Sequence, residues 1–248
     1  MCILAIQYKS ARDAPILVAA NREENFDRPS QPPRIQSGRP RVICGIDRKA
    51  GGTWLGVNQY GVFAAVANRP KVDLPAEPRS RGLLCREMLN YATAAKAAEH
   101  VLKELATGKY AGANFICADA RSAAVIHGAD KIELRELTPG LHLIGNGALN
   151  DPRDERLEFA RRLLTLQRLD SAVAFLAVAS RAFSRRADGE GRRGVVLTGG
   201  QYGTVSSTLL SLPKKSHNAV YHYAGGPPSE NSYDDLSALL RQVLSADK

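Results

Sequence analysis

Residues 2–24 read Cys-Ile-Leu-Ala-Ile-Gln-Tyr-Lys-Ser-Ala-Arg-Asp-Ala-Pro-Ile-Leu-Val-Ala-Ala-Asn-Arg-Glu-Glu. Two apolar runs, Cys2–Tyr8 and Pro15–Ala20, flank the polar stretch Lys9–Ala14, which is the pattern of a β-hairpin. The second run ends directly on Asn21-Arg22-Glu23-Glu24, read here as a strand end where polar side chains converge. Strand signals continue outward from this hairpin at Arg41–Ile46, Thr53–Val57 and Val62–Ala67. The last two are joined by Asn-Gln-Tyr-Gly, with Gly61 suited to a positive-φ turn position.

Helical spacing of Leu84, Met88, Tyr91 and Ala95 predicts a helix over Arg81–Leu105 with Ser80 as its N-cap. Strands are expected again at Asn114–Ala118, Ala123–His127, Lys131–Glu136 and Leu141–Ile144. Two further helices are predicted at Pro152–Leu166, with Asp151-Pro152 and then Asp154-Glu155 as its start signature, and at Ser171–Val178. Val195–Leu197, Ser206–Leu212 and Ala219–Tyr223 read as strands. A final helix is predicted over Tyr233–Leu244, with Asp234 and Asp235 in its first turn. Strands grouped in hairpins favour antiparallel sheets covered by helices over alternating βαβ units. The expected class is α+β, a four-layer αββα sandwich formed by residues 1–248 as one domain.

The 248 residues are 44% hydrophobic and 24% charged, the balance of an ordinary globular chain. No apolar run approaches the roughly 20 residues of a membrane span. No signal-peptide pattern opens the chain, so a cytoplasmic location is the expectation. The formal charge is +9, but the basic residues are dispersed and arginines outnumber lysines 24 to 10. No basic helix face or aromatic-interleaved stripe marks a nucleic-acid surface, and specific nucleic acid is not an expected partner. The densest basic stretch, Arg181–Arg193, reads as a solvated loop. Cys2, Cys44, Cys85 and Cys117 form no CxxC pair, and the histidines show no HExxH spacing, so no metal site is predicted. Cys44 and Cys117 read as small buried hydrophobes, and His100 as a solvated helix residue.

Cys2 stands apart by position. Removal of Met1 would give it an α-amine of pKa ~7.7–8.0, able to take the thiol proton near neutral pH without a histidine. Thiols are the most nucleophilic common side chains once ionised. Arg22 supplies a fixed cation for a thiolate or carboxylate. Asn21 offers amide donors, and Glu23 and Glu24 could orient the arginine or a free amine. Asn68 and Asn146 each end a strand with an amide, the type of group that holds an oxyanion. Gly51 and Gly52 permit close backbone approach before Trp54, which reads as a packed residue ahead of a ligand platform.

Taken together, Met-Cys-Ile-Leu-Ala at the start, Asn21-Arg22-Glu23-Glu24, Gly-Gly-Thr-Trp-Leu-Gly at 51–56 and Ala67-Asn68 resemble the NRDE family. That family includes the transport and Golgi organisation protein 2 group. Ser80-Arg81-Gly82, Asn114-Phe115, Gly145-Asn146 and the Tyr202-Gly203-Thr204 and Ser206-Ser207-Thr208 block extend the likeness nearly end to end. The resemblance implies an N-terminal-nucleophile hydrolase-like αββα fold, related to the bile-salt hydrolase and penicillin V acylase group. It implies Cys2 as nucleophile, Arg22 as its cation, and Asn68 and Asn146 as oxyanion donors, with Asn21, Glu23, Glu24, Trp54 and Arg81 as ligand-binding candidates. Two positions depart from the family pattern: Glu23 replaces an aspartate, and Val205 stands where an arginine commonly precedes Ser-Ser-Thr. The activity implied is cleavage of an amide or thioester acyl substrate without a cofactor. The alternative is a non-catalytic carrier of haem or an acyl ligand, since members of the family have been linked to intracellular haem trafficking. In either case the partner is a small molecule, and oligomeric state is not encoded in any motif.

Overall fold

A computed structural model describes residues 2–187 and 194–246. In chain order the strands are β1 (Ile3–Tyr8), β2 (Ile16–Asn25), β3 (Ser30–Gln36), β4 (Val42–Asp47), β5 (Leu55–Asn58), β6 (Phe63–Asn68), β7 (Ala113–Ala118), β8 (Ala123–Gly128), β9 (Ile132–Glu136), β10 (Gly140–Ile144), β11 (Tyr202–Leu212), β12 (Val220–Ala224) and β13 (Asp234–Asp235). The helices are α1 (Arg81–Met88), α2 (Ala94–Leu105), α3 (Glu155–Leu164), α4 (Ala172–Phe183) and α5 (Ser237–Leu244). The chain divides into two compact units, Met1–Asp27 with Pro139–Ala238, and Arg28–Thr138 with Leu239–Lys248. The α+β class and the antiparallel sheets follow the sequence reading: each unit is one antiparallel sheet carrying its own pair of helices.

In the first unit the sheet order is β10-β1-β2-β11-β12-β13. Alternation along the strands sends Ile3, Ala5, Leu17, Ala19 and Leu209 toward the helices, where Leu157, Leu164, Phe175 and Phe183 meet them. Burying side chains of this size contributes roughly 1.5–3 kcal/mol each. The hairpin of β1 and β2 forms as expected, with Ile3 opposite Asn21 and Tyr8 opposite Ile16.

In the second unit the order is β3-β4-β5-β6-β7-β8-β9. Ala64, Phe115, Cys117 and Ile126 pack against Leu84 and Met88 of α1 and Ala97 and Val101 of α2. Cys44, Cys85 and Cys117 are buried free thiols within this core. Ser80 caps α1, accepting from the Leu83 amide, as predicted. Gly61 has φ +80 in the turn between β5 and β6. A Cβ on Gly52 would stand 2.2 Å from the Gly82 carbonyl carbon, so the pair of glycines before Trp54 does serve a close backbone approach.

Several expected boundaries are corrected. Arg81–Leu105 is two helices, because the carbonyls of Leu89 and Tyr91 turn to the Asn58 amide at 2.9 and 2.7 Å and Thr93 caps a new helix. The β3 strand was not anticipated: its Pro32 and Pro33 suppress a strand signal but are tolerated on this sheet-edge strand. The α3 helix starts at Glu155 rather than Pro152, capped by Asp154, which accepts from the Arg156 and Leu157 amides. Val195–Leu197 is not a strand; Val196 makes an isolated bridge to Arg186. Asp234 and Asp235 are not a helical first turn but pair with Tyr223 and His222 as β13. The α5 helix then starts at Ser237, whose amide donates to Asp235 Oδ1 at 2.9 Å. Arg181 belongs to α4 rather than to a loop, and residues 188–193 of that basic stretch lie outside the described residues. His100 is half-buried, its Nε2 3.1 Å from Glu87 Oε2 and its ring 5.1 Å from that of Tyr91. Among the described residues, no helix is long and apolar enough to cross a membrane.

Candidate functional site

Asn21, Arg22, Glu23 and Glu24 do not follow a strand; they lie inside β2, which runs on to Asn25. The strand continues through polar residues because β11 pairs with it along that length, from Tyr202 opposite Asn25 to Leu212 opposite Ile16. The pairing slips between Thr204 and Ser206, so Val205 is the extra residue of a β-bulge opposite this block. The position that carries an arginine in the family pattern is therefore the point where the strand re-aims its side chains.

The two faces of β2 sort the block. Asn21 Nδ2 donates to the Phe183 carbonyl at the end of α4, at 3.0 Å. Glu23, fully buried, receives both arms of Arg156 from α3; Nη1 meets Oε2 at 2.9 Å and Nη2 meets Oε1. Arg156 Nε also donates to the Val195 carbonyl at 3.0 Å, and Tyr202 Oη to the Glu23 carbonyl at 2.9 Å. Asn21 and Glu23 are thus held on the helix-covered face. By alternation Arg22 and Glu24 point to the other face. There Arg22 is buried, and Ser206, directly across on β11, is buried beside it. Tyr223 of β12 joins them: burial raises its phenol, while Ser206 and the Arg22 charge act in the opposite direction.

Cys2 sits one residue before β1 and is half-buried. Strand register places its neighbours. Ile3 pairs with Asn21, so the next step brings Cys2 beside Arg22. Leu4 pairs with Ile144, the last residue of β10, and Asn146 lies in the bend two residues further on, at the same end of the sheet as Cys2. Burial pushes the Cys2 thiol up, and the Glu23 carboxylate adds to that rise. A hydrogen bond from the Glu23 backbone and the Arg22 guanidinium act to lower it.

The remaining candidates belong to the second unit. Asn68 is the exposed last residue of β6. Trp54 is half-buried, its ring so close over Gly45 that a Cβ there would stand 2.3 Å from it. Arg81 opens α1 and donates to the Gly112 carbonyl at 2.9 Å, a backbone-fastening contact. Among the described residues no group of three or more His, Cys, Asp or Glu stands together as a metal site. Arg156, Ser206 and Tyr223 were not singled out for a role from sequence. The Ser206-Ser207-Thr208 run was the only signal for one of them, because Arg156 and Tyr223 reach the site through tertiary contacts.

Comparison with known proteins agrees with this architecture. A solved Caenorhabditis elegans structure, an N-acylethanolamine-hydrolyzing acid amidase ortholog, aligns with TM-score 0.57 over 86% of this chain and 94% of its own, at 13% identity. That likeness concerns the fold alone. The human Transport and Golgi organization protein 2 homolog is 30% identical over 165 residues, 61% of this chain and 59% of the relative. The mouse homolog is 29% identical over 177 residues, 66% of this chain and 63% of the relative. The chain thus matches about three fifths of the length of these curated relatives. With the family model matching residues 1–223, the chain belongs to the Transport and Golgi organisation 2 family.

Proposed function

We propose that the chain is a hydrolase of the N-terminal-nucleophile type, acting on amide or thioester acyl substrates through Cys2. The observation that supports this reading is the pairing of Ile3 with Asn21, which leaves Cys2 at the end of β1 next to Arg22, whose charge acts on the thiol. Met1 is first removed, leaving the α-amine of Cys2 beside its own thiol. The amine takes the thiol proton, and the sulfur forms a bond to the substrate carbonyl carbon. The resulting oxyanion is held by the Asn146 amide, a contact worth about 10²–10³ in rate for donors of this kind. Arg22 offsets the negative charge that burial and Glu23 oppose at the sulfur. As the carbon–nitrogen or carbon–sulfur bond breaks, the ammonium returns its proton to the leaving group. Water, deprotonated by the same amine, then releases the acid and restores the thiol; such a base contributes about 10²–10⁴-fold.

Intact mass before and after reaction with an activated thioester tests this reading. Loss of Met1 with one acyl adduct, absent in Cys2→Ala, is the expected result. Retained Met1 with no Cys2 adduct would overturn it. A non-catalytic carrier of haem or an acyl ligand is the second reading, in which Cys2, its thiol raised by burial, would turn nothing over. The same burial disfavours the thiolate as an iron ligand, and His100, His127 and His142 already contact Glu87, Asn114 and Asn150. The residues therefore fit haem poorly, and a stoichiometric haem absorption band without acyl turnover is the result that would favour the carrier.

A further inference from the structure

We infer that Arg156 of α3 is a positioning residue of the Cys2 site, clamping Glu23 so that a fixed negative charge stands beside the amine and thiol of Cys2. This rests on the hydrolase reading for its catalytic meaning, though not for its test. The geometry is a two-armed guanidinium–carboxylate pair closed over a side chain with no solvent exposure, anchored further by Arg156 Nε on the Val195 carbonyl. Paired forks of this type fix orientation as well as charge. Glu23 sits next to Arg22 in β2, and its backbone is within hydrogen-bonding reach of the Cys2 sulfur. One helix side chain is thereby linked, through one carboxylate, to the residue that would do the chemistry.

The charges around Glu23 decide what the clamp does. Arg156 of α3 pairs with it and Asp154, the cap of that helix, acts at longer range; Cys2 lies near it just before β1, and Tyr202 of β11 donates to its carbonyl. Arg22 precedes it in β2 and acts on the same sulfur. Burial raises the Glu23 carboxyl even with Arg156 in place, and Arg156 is the main influence working against that rise. Without Arg156 the buried carboxyl loses the main charge that offsets its burial and is expected to favour its neutral, protonated form. Its negative charge then disappears from beside Cys2, and with it one of the influences that raise the thiol. The thiolate should therefore form at lower pH in Arg156→Gln than in the unmodified protein. Glu23→Gln removes the same charge directly and should move Cys2 in the same direction.

The rate of Cys2 alkylation by iodoacetamide against pH, followed by intact mass, tests the inference; the other three cysteines are fully buried. Arg156→Gln and Glu23→Gln are each expected to lower the midpoint by on the order of one pH unit. The double variant should go no further than either single one, and Arg156→Lys should keep the original midpoint. A uniform loss of rate with an unmoved midpoint would mean a structural role only and would overturn the inference. So would additive shifts in the double variant. Should Arg156→Gln fail to fold, Glu23→Gln against Arg156→Lys carries the same comparison, and an unshifted Glu23→Gln overturns the inference. Alkylation needs only the thiol. A protein that shows these shifts yet never turns over an acyl probe would therefore refute the hydrolase reading while upholding the role of Arg156.

Discussion

The two units follow one plan, an antiparallel sheet backed by two helices, yet their strands are composed very differently. In the second unit the central strands are nearly all apolar: Phe-Ala-Ala-Val-Ala in β6, Phe-Ile-Cys-Ala in β7, Ala-Ala-Val-Ile in β8. Buried polar groups there are satisfied. Asn58 fills its amide with the Leu89 and Tyr91 carbonyls and its oxygen with the Tyr60 and Val62 amides. In the first unit β2 and β11 bury Asn21, Arg22, Glu23, Thr204, Ser206, Ser207 and Thr208 side by side. Some polar atoms of these strands lack partners: among the described residues Asn21 Oδ1 and Ser211 Oγ are buried without a hydrogen bond. Burying a polar group unsatisfied costs about 1–3 kcal/mol. Burying so many polar groups is not needed to hold a sheet together, and the sheet that does so carries the proposed site.

That contrast can be broken or sharpened by measurement. Asn58→Ala removes four hydrogen bonds at once and leaves backbone groups orphaned in an apolar setting. We expect about 3 kcal/mol of destabilisation in chemical denaturation, and a loss below about 1 kcal/mol would show that the second unit does not depend on satisfied polar groups. His127 gives a smaller, pH-dependent effect. Its Nδ1 lies 2.7 Å from Asn114 Oδ1, and burial with the nearby Arg69 charge lowers it to about 4. The unfolded chain therefore binds the proton more readily, so stability should hold above pH ~6.5 and fall progressively toward pH 4. His127→Gln should flatten that part of the curve, and an unchanged slope would remove the histidine from the explanation. The smallest effect belongs to the first unit. Ser211→Ala is expected to be neutral or stabilising by up to about 1 kcal/mol, since it deletes an unpartnered hydroxyl. A clear destabilisation would show that Ser211 supports the fold, and the comparison between the units would lose its sharpest case.

The N-terminal hairpin, the run of short strands and the capped helices were legible because each rests on local chemistry. Alternating or continuous apolar runs must be buried as strands, and Ser80 and Ser171 accept from amides three residues on, with no help from distant chain. The split of residues 81–105 was not legible, since periodicity continues across the break. It is imposed by Asn58, over thirty positions away, capturing two carbonyls. Proline hid β3 for the converse reason: a local penalty that an edge position tolerates.

For the site, the sequence by itself determined which side chains were available: a cysteine at position 2, an arginine and glutamates in one block, asparagines near strand ends. It could not say which of them share a face. Four consecutive residues of β2 were read as one cluster, but a strand's two-residue period sends Asn21 and Glu23 to the helices and Arg22 to the opposite side. Nor could it supply Arg156 or Tyr223, separated by well over a hundred residues from the groups they serve. Local propensity and hydrophobic pattern act over a few residues and so are written in the sequence. Register, facing and the neutralisation of a buried charge arise only when distant segments pair, and those the tertiary structure alone decided.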